Sequence, residues 1–433
     1  MNWKSALVLL LGILLLGGIV TAAPVEKPEA VPLTTVKALA VRELHKFPEF
    51  NGALPTNPTP LYFPDGRLAA YEFRMVKNGK TIGYIIVSAN RNLPPAILEA
   101  GFGKKTPSDL MKELAVKKGV KNYRFVYFSG LNYGLLAEDK VIDMKGKEYR
   151  KPNTYKPPVG DNGLQNSHKW LSLKLQTSAH TLMTTDISGQ YKPNIATRID
   201  WKMVSGVPRW AQYDPMNLSQ ENDSHLPQPD VGYAGDDFIG PNPDYWDNKR
   251  NDCAPISGAM LIAYYDKQYQ TSWYREALID VLHKLMETDE NGMTKTPKIG
   301  PGIEKFYDEA MRLYRKGIFD KPPKYRYVTT FKSWGIDGEE DPNNDKLFNV
   351  IQSEISNYRP VLLSSSNGDG IGFHWQWLHT TTVTGYSVYS NGDRYIFVHT
   401  TRADLLAAWI LVDTLGKPRG SNYLIILVHA YQT

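Results

Sequence analysis

The run Asn251-Asp252-Cys253-Ala254-Pro255-Ile256-Ser257-Gly258-Ala259-Met260, continued by Leu261-Ile262-Ala263-Tyr264-Tyr265, decides how this chain is read. It opens with the one cysteine among 433 residues. Residues 243–252 just before it are loop-like. From the cysteine onward the sequence turns helical, with Met260, Leu261, Tyr264 and Tyr265 along one side and Pro255 tolerated in the first turn. Cys253 therefore belongs to the first turn of a helix. There, unbonded N–H groups and the helix dipole favour a thiolate and can hold an oxyanion formed one bond from the sulfur. The small residues Ala254, Ser257, Gly258 and Ala259 allow another segment to approach this helix start closely.

The N-terminus gives the single thiol its meaning. Lys4, an apolar run over residues 6–20 and Thr21-Ala22-Ala23 read as a secretory signal of residues 1–23, with a secreted, extracellular protein as the consequence. An uncleaved membrane anchor is the alternative, although the run is short of the roughly 20 residues needed to span a bilayer. An exported protein that uses cysteine structurally carries an even set. One thiol can form no internal disulfide and no cysteine-based metal site, so it is either buried or at work.

Composition bounds the remaining classes. Hydrophobic residues make up 42% of the chain and charged residues 22%, a globular balance large enough for two or three domains. The net charge of +5 comes from interspersed Lys and Arg without a basic block, which argues against a nucleic-acid partner. No His-Glu-x-x-His, cysteine pair or phosphate-cradling Gly-Lys-Ser/Thr motif is present, so neither a cofactor nor a metal is expected. The acidic stretches 244–252 and 338–345 lack the ordered spacing of a calcium loop and read as solvated surface.

Along the chain, residues 24–34 are Pro-rich and read as a linker. Residues 35–150 read as an α+β module: a helix over 35–46, a hairpin of strands 68–77 and 81–88 around Asn78-Gly79, a short apolar run at 95–100, a Thr106-capped helix to 118, and a strand over 123–131. Residues 151–195 form a connector. The second domain, residues 196–433, carries a long Pro/Gly/Asn/Asp-rich loop (214–250) with glycosylation acceptor patterns at Asn217 and Asn222. Helices are expected over 253–268, 273–288, 301–316 and 345–357, then strands over 361–364, 379–386, 394–400, 407–412 and 423–430. Helices first and an antiparallel sheet later make this domain α+β as well.

A working thiol needs a base, and histidine is the usual one. His379 opens the alternating strand Leu378-His379-Thr380-Thr381-Thr382-Val383-Thr384-Gly385-Tyr386, directly after a Gly- and Trp-rich loop, and is the leading candidate; His374 inside that loop is its rival.

At this point a family emerges. The segment Asn251 to Met260 resembles the nucleophile helix of bacteriocin-processing-like cysteine peptidases, a branch of the papain-like fold. Arg359-Pro360-Val361-Leu362, followed by His379-Thr380-Thr381-Thr382-Val383-Thr384-Gly385-Tyr386, resembles the same family's Arg-Pro-Val and His-x-x-x-Val-x-Gly-Tyr strands. The resemblance covers residues 200–433 and implies a papain-like catalytic domain with Cys253 as nucleophile and His379 as base. It further implies an oxyanion-holding Gln, for which Gln212 in Val207-Pro208-Arg209-Trp210-Ala211-Gln212-Tyr213 is the candidate and Asn248 the alternative. The orienting Asp or Asn beyond the histidine strand is replaced by Phe397-Val398-His399-Thr400-Thr401, leaving Thr400, His399 or the nearby Asp404. Ala254 also departs from the usual Gly. Tyr71-Glu72-Phe73, Gly83 to Ala89 and Leu93 to Leu98 resemble the pro-segment of streptopain-type secreted peptidases, which implies a zymogen whose N-terminal domain packs on the catalytic cleft. The implied activity is hydrolysis, or acyl transfer, on a peptide or protein substrate. The departure at the orienting position supports the alternative, a non-catalytic extracellular binding protein on the same fold.

Overall fold

The computed structural model describes residues 29–144, 146–155, 163–173, 196–210, 253–289, 293–334, 344–367, 379–402, 405–415 and 421–433. The proposed signal, the glycosylation sites Asn217 and Asn222, and the candidates Gln212, Asn248, His374 and Asp404 lie outside the described residues.

The N-terminal part opens with helix α1 (Leu33–Glu43), extended by a 3-10 turn at Leu44–Lys46. Strands β1 (Leu54–Tyr62), β2 (Leu68–Lys77), β3 (Lys80–Ser88) and β4 (Ile97–Phe102) follow as an antiparallel meander. Asn78 and Gly79, both at positive φ, make the turn between β2 and β3. Helix α2 (Pro107–Lys118) starts on a capping box, in which the Thr106 side chain accepts from the Asp109 N–H and Asp109 reaches back to the Thr106 N–H. Strands β5 (Arg124–Ser129), β6 (Asn132–Ala137), β7 (Lys140–Asp143) and β8 (Glu148–Arg150) continue the sheet. Helix α3 (Gly163–Ser172) then buries Trp170, whose indole N–H donates to the Leu93 carbonyl at 2.8 Å.

The C-terminal part contains β9 (Arg198–Met203), the helices α4 (Cys253–Tyr265), α5 (Ser272–Leu285) and α6 (Thr296–Arg315), and then β10 (Tyr325–Trp334) and α7 (Asp345–Ser356). It ends with β11 (Val361–Asn367), β12 (His379–Tyr389), β13 (Arg394–Arg402), β14 (Leu405–Leu411) and β15 (Ser421–Gln432). Among the described residues all strands join one mostly antiparallel sheet in the order β10-β15-β11-β12-β13-β14-β4-β3-β2-β1-β5-β6-β7-β8, and the chain is α+β. Among the described residues the only parallel pairing is a short one between β1 and β5. β11 and β9 lie end to end along one edge of β12: β11 pairs with residues 379–383 and β9 with residues 385–389.

The two parts are not separate bodies. β14 pairs with β4, from Ala407 opposite Phe102 to Ile410 opposite Glu99, so the ladder runs across the expected boundary. Successive residues of β13 and β14 face opposite cores. Ile396, Val398, Ala408 and Ile410 pack with the helices α4, α5 and α6. Tyr395, Phe397, Ala407, Trp409 and Leu411 pack with Leu39, Phe47, Tyr84 and Ile97 of the N-terminal part. Burial on both faces explains the unbroken apolar runs Tyr395-Ile396-Phe397-Val398 and Ala407-Ala408-Trp409-Ile410-Leu411.

Several elements depart from the sequence reading for identifiable reasons. β1 contains Pro55, Pro58 and Pro60, which no strand pattern anticipates; it keeps a register irregularity between Thr56 and Thr59. α6 begins at Thr296 instead of 301, because Pro301 sits in the second turn, where it costs only one helical bond. α4 is not one-sided: every residue from Ala254 to Ala263 is buried. β6, β7, β8, β9 and β10 lie outside the strands expected from the sequence; of these, β7 and β8 are only 4 and 3 residues long. The end of the expected linker is ordered into the fold, with the Val31 N–H donating to the Ala89 carbonyl at 2.8 Å.

Candidate active site

The helix that begins at Cys253 is held in the middle of the C-terminal core. Gly258 packs closely there: a Cβ at this position would lie 2.8 Å from Met286 Cε, the flexible end of a side chain in the segment ending α5. Two bonds clamp the first turns of α4 onto β12. The buried Ser257 hydroxyl donates to the Thr380 carbonyl at 3.0 Å, and the Thr382 hydroxyl donates to the Ser257 carbonyl at 3.3 Å. Consequently the thiol lies at the start of β12: the Thr380 backbone N–H points at Cys253 Sγ at 3.4 Å. Cys253 as a residue is only half-buried.

The residue before Thr380 is His379, 6% exposed, opposite Ser365 of β11. Its Nε2 lies 2.8 Å from the main-chain oxygen of Thr400 on β13. A carbonyl only accepts, so Nε2 carries the proton and Nδ1 holds the lone pair of the neutral ring. Among the described residues, the atom that holds the imidazole is a backbone oxygen. The Thr400 hydroxyl does something else: it donates to the Leu405 carbonyl and accepts from the Arg402 N–H at 3.3 Å, closing the turn between β13 and β14. The pairing shifts register between His399 and Arg402, and Thr401 adopts φ +60°, a strained conformation for a β-branched residue. This bulge turns the Thr400 carbonyl toward His379. The Thr401 hydroxyl adds a second donor to the same oxygen at 2.7 Å.

Among the other candidates, His399 is turned elsewhere. Its Nδ1 lies 2.9 Å from the Pro208 carbonyl, and burial, with a smaller contribution from Arg209, pulls its pKa down to about 4. It is thus a neutral structural histidine, not the partner of His379. Gln212 is undescribed, yet the segment leading to it runs beside the site. The Trp210 N–H approaches Met260 Sδ of α4 at 3.3 Å, and Val207 and Trp210 pack in the helical core.

Sequence reasoning missed Arg402. Burial lowers the pKa of its guanidinium, partly offset by the charges of Tyr133, Tyr84, Glu99 and Cys253. A cation two residues beyond Thr400 carries no motif that marks it in the sequence. Also unanticipated was the buried Glu99 of β4, which accepts from the Leu131 N–H at 2.8 Å and from the Tyr84 and Tyr133 hydroxyls. Burial raises its pKa, against the pull of these donors.

No family model matches the chain, and no curated protein matches it.

Proposed function

We propose that this chain is a cysteine peptidase of papain-like type, exported and made as a precursor. The observation that carries this reading is the approach of the Thr380 N–H to Cys253 Sγ, which sets a helix-head thiol against the strand residue next to a histidine of fixed tautomer. In this mechanism the Cys253 proton passes to His379, and the thiolate attacks a peptide carbonyl. The tetrahedral oxyanion is held by N–H groups at the head of α4 and by the Gln212 side chain. His379 then delivers its proton to the leaving amine, and water, activated by the same ring, releases the acyl group. Nε2 stays bonded to the Thr400 oxygen, which keeps Nδ1 as the nitrogen that shuttles the proton.

The test is alkylation of Cys253 by iodoacetamide at neutral pH together with cleavage of an unfolded protein substrate. Fast alkylation and cleavage in the wild type, both reduced at least 100-fold in His379→Ala, support the proposal. A thiol that alkylates at the same rate with and without His379 overturns it. Recovering the protein from medium and comparing the wild-type N-terminus with that of Cys253→Ser tests export and self-processing together; a new start near residue 150–200 only in the wild type is the expected result.

A second reading, a binding protein that has lost turnover, rests on the backbone oxygen at Thr400. It supplies an acceptor but no negative charge to stabilise an imidazolium. Normal alkylation without any substrate cleavage is its signature.

A further inference from the structure

Thr380 meets α4 twice. Its N–H points at Cys253 Sγ at 3.4 Å, and its carbonyl accepts from the Ser257 hydroxyl at 3.0 Å. In an antiparallel ladder the N–H and C=O of one residue face the same neighbouring strand. The pairing of β12 with β13 reaches back only to Thr382, opposite His399, and the β13–β14 register shifts just beyond that point. Where β13 leaves β12, two side chains of α4 take up the Thr380 backbone. Cys253 and Ser257 are four residues apart on one helix, so they stand one above the other on the same face. Ser257 is fully buried, and its own carbonyl accepts from the Thr382 hydroxyl at 3.3 Å. This hydroxyl thus sets how far the head of α4 can slide along β12, and with it whether the sulfur stays on the Thr380 N–H.

We propose that Ser257 is a positioning residue for the Cys253 thiolate: by holding the Thr380 carbonyl it keeps the Thr380 N–H on the sulfur, and that N–H stabilises the thiolate over the thiol. A hydrogen bond to an ionised acceptor is roughly twice as strong as one to a neutral acceptor, so the contact favours the charged form. The consequence for cleavage rests on the peptidase reading: Ser257 is sealed from any substrate, so its loss lowers kcat and leaves KM unchanged. The positioning itself does not rest on that reading, because alkylation alone reports it.

The experiment is the pH–rate profile for alkylation of Cys253 by iodoacetamide in the full chain. Losing a charge-assisted bond at the lower end of its usual strength makes the thiolate about tenfold rarer. A less stabilised thiolate is also a better nucleophile, by about threefold for that change. In Ser257→Ala the midpoint should therefore move to higher pH, with alkylation about threefold slower on the acid side and about threefold faster on the alkaline plateau. Thr382→Val removes the other clamping bond at a similar structural cost and should leave the midpoint in place. In a His379→Ala background the displacement caused by Ser257→Ala should persist, since the N–H acts without the imidazole. A Ser257→Ala profile that does not move, or that falls by one factor at every pH, overturns the proposal. So does a midpoint that Thr382→Val moves as far, or a displacement that vanishes without His379. Cleavage is read separately: the acid limb of its kcat/KM profile should follow the alkylation midpoint. A protein that alkylates in this way but cleaves no peptide keeps the positioning role and loses the peptidase.

Discussion

Lys46 offers a direct way to ask whether the N-terminal part is a detachable cover or half of one folding unit. Its ammonium is fully buried between Glu43, three residues back on α1, and Asp393 at the turn between β12 and β13. The rings of Tyr389 and Tyr395 close over it, with centroids at 5.0 and 5.8 Å. The Lys46 carbonyl accepts from the Tyr389 hydroxyl at 2.7 Å and from Arg198 Nη2 at 3.1 Å, so one residue of the N-terminal part is tied at three points to the C-terminal sheet. Lys46→Met keeps the apolar stem and removes the charge, leaving the buried carboxylates of Asp393 and Glu43 without it, the latter still paired with Arg42. Breaking one side of a buried pair costs about 3–5 kcal/mol, which lowers the urea midpoint by on the order of 1 M at unchanged slope. Native-state hydrogen exchange then separates the alternatives: protection of β3 and of β12 should fall together by that amount. Glu43→Gln with Asp393→Asn, added to Lys46→Met, should restore part of the loss. Burial alone would lower the Lys46 pKa, but the charges and hydrogen bonds of Asp393 and Glu43 outweigh it and raise the value above that of a free lysine. Its contribution is therefore complete below about pH 10.5 and fades as pH climbs through the raised value, where wild type and variant should converge. If β3 loses protection while β12 does not, the two parts fold independently and the argument fails.

Other predictions concern the site and the boundary. Thr400→Val keeps the carbonyl that holds His379 and loses only the turn-closing hydroxyl, so activity should stay within tenfold of wild type at a stability cost of about 1 kcal/mol; a loss as deep as that of His379→Ala would restore a catalytic role to the hydroxyl. His399, with its folded pKa at about 4 against 6.5 in the unfolded chain, contributes stability that is complete above pH 6.5 and is lost as pH falls toward 4, amounting to roughly 3 kcal/mol at most. His399→Gln should flatten the stability curve over that window, and an unchanged curve counts against the assignment. A cut anywhere in residues 174–195 should leave both fragments associated on gel filtration, because Tyr395, Phe397, Trp409 and Leu411 would otherwise be stripped of roughly 1.5–3 kcal/mol of burial each. Fragments that separate without denaturant would show that the shared core is weak.

What the sequence made legible was local, and what it hid was assembled from a distance. Thr106, Asn78-Gly79 and the helical run after Cys253 each declare themselves within a few residues, because capping, turn conformation and periodicity are short-range physics. The pairing of β4 with β14 joins residues about 300 positions apart, and nothing local in Ile97–Phe102 or Leu405–Leu411 specifies a partner. The apolar content of β13 and β14 did carry a hint, since strands hydrophobic on both faces need two covers and the helices of their own domain supply one. The N-terminal part is the second.

The orienting position shows the same limit at the scale of one atom. A search for Asp or Asn after the histidine strand finds Thr400, His399 and Asp404, because a side-chain reading recognises only side chains. The acceptor that the fold presents is a main-chain oxygen, exposed by a bulge at Thr400 and Thr401 that costs a β-branched residue in the left-handed region. Any residue at position 400 would offer that oxygen, so residue type there is uninformative and the strain at Thr401 is the informative signal. Relieving it with Thr401→Gly should stabilise the turn or leave it unchanged, while removing the second donor that fixes the Thr400 carbonyl. The imidazole is then held by an acceptor free to tilt, and the alkylation rate of Cys253 should fall severalfold without loss of stability. A rate that does not move would mean that the carbonyl is positioned by the β13–β14 ladder alone.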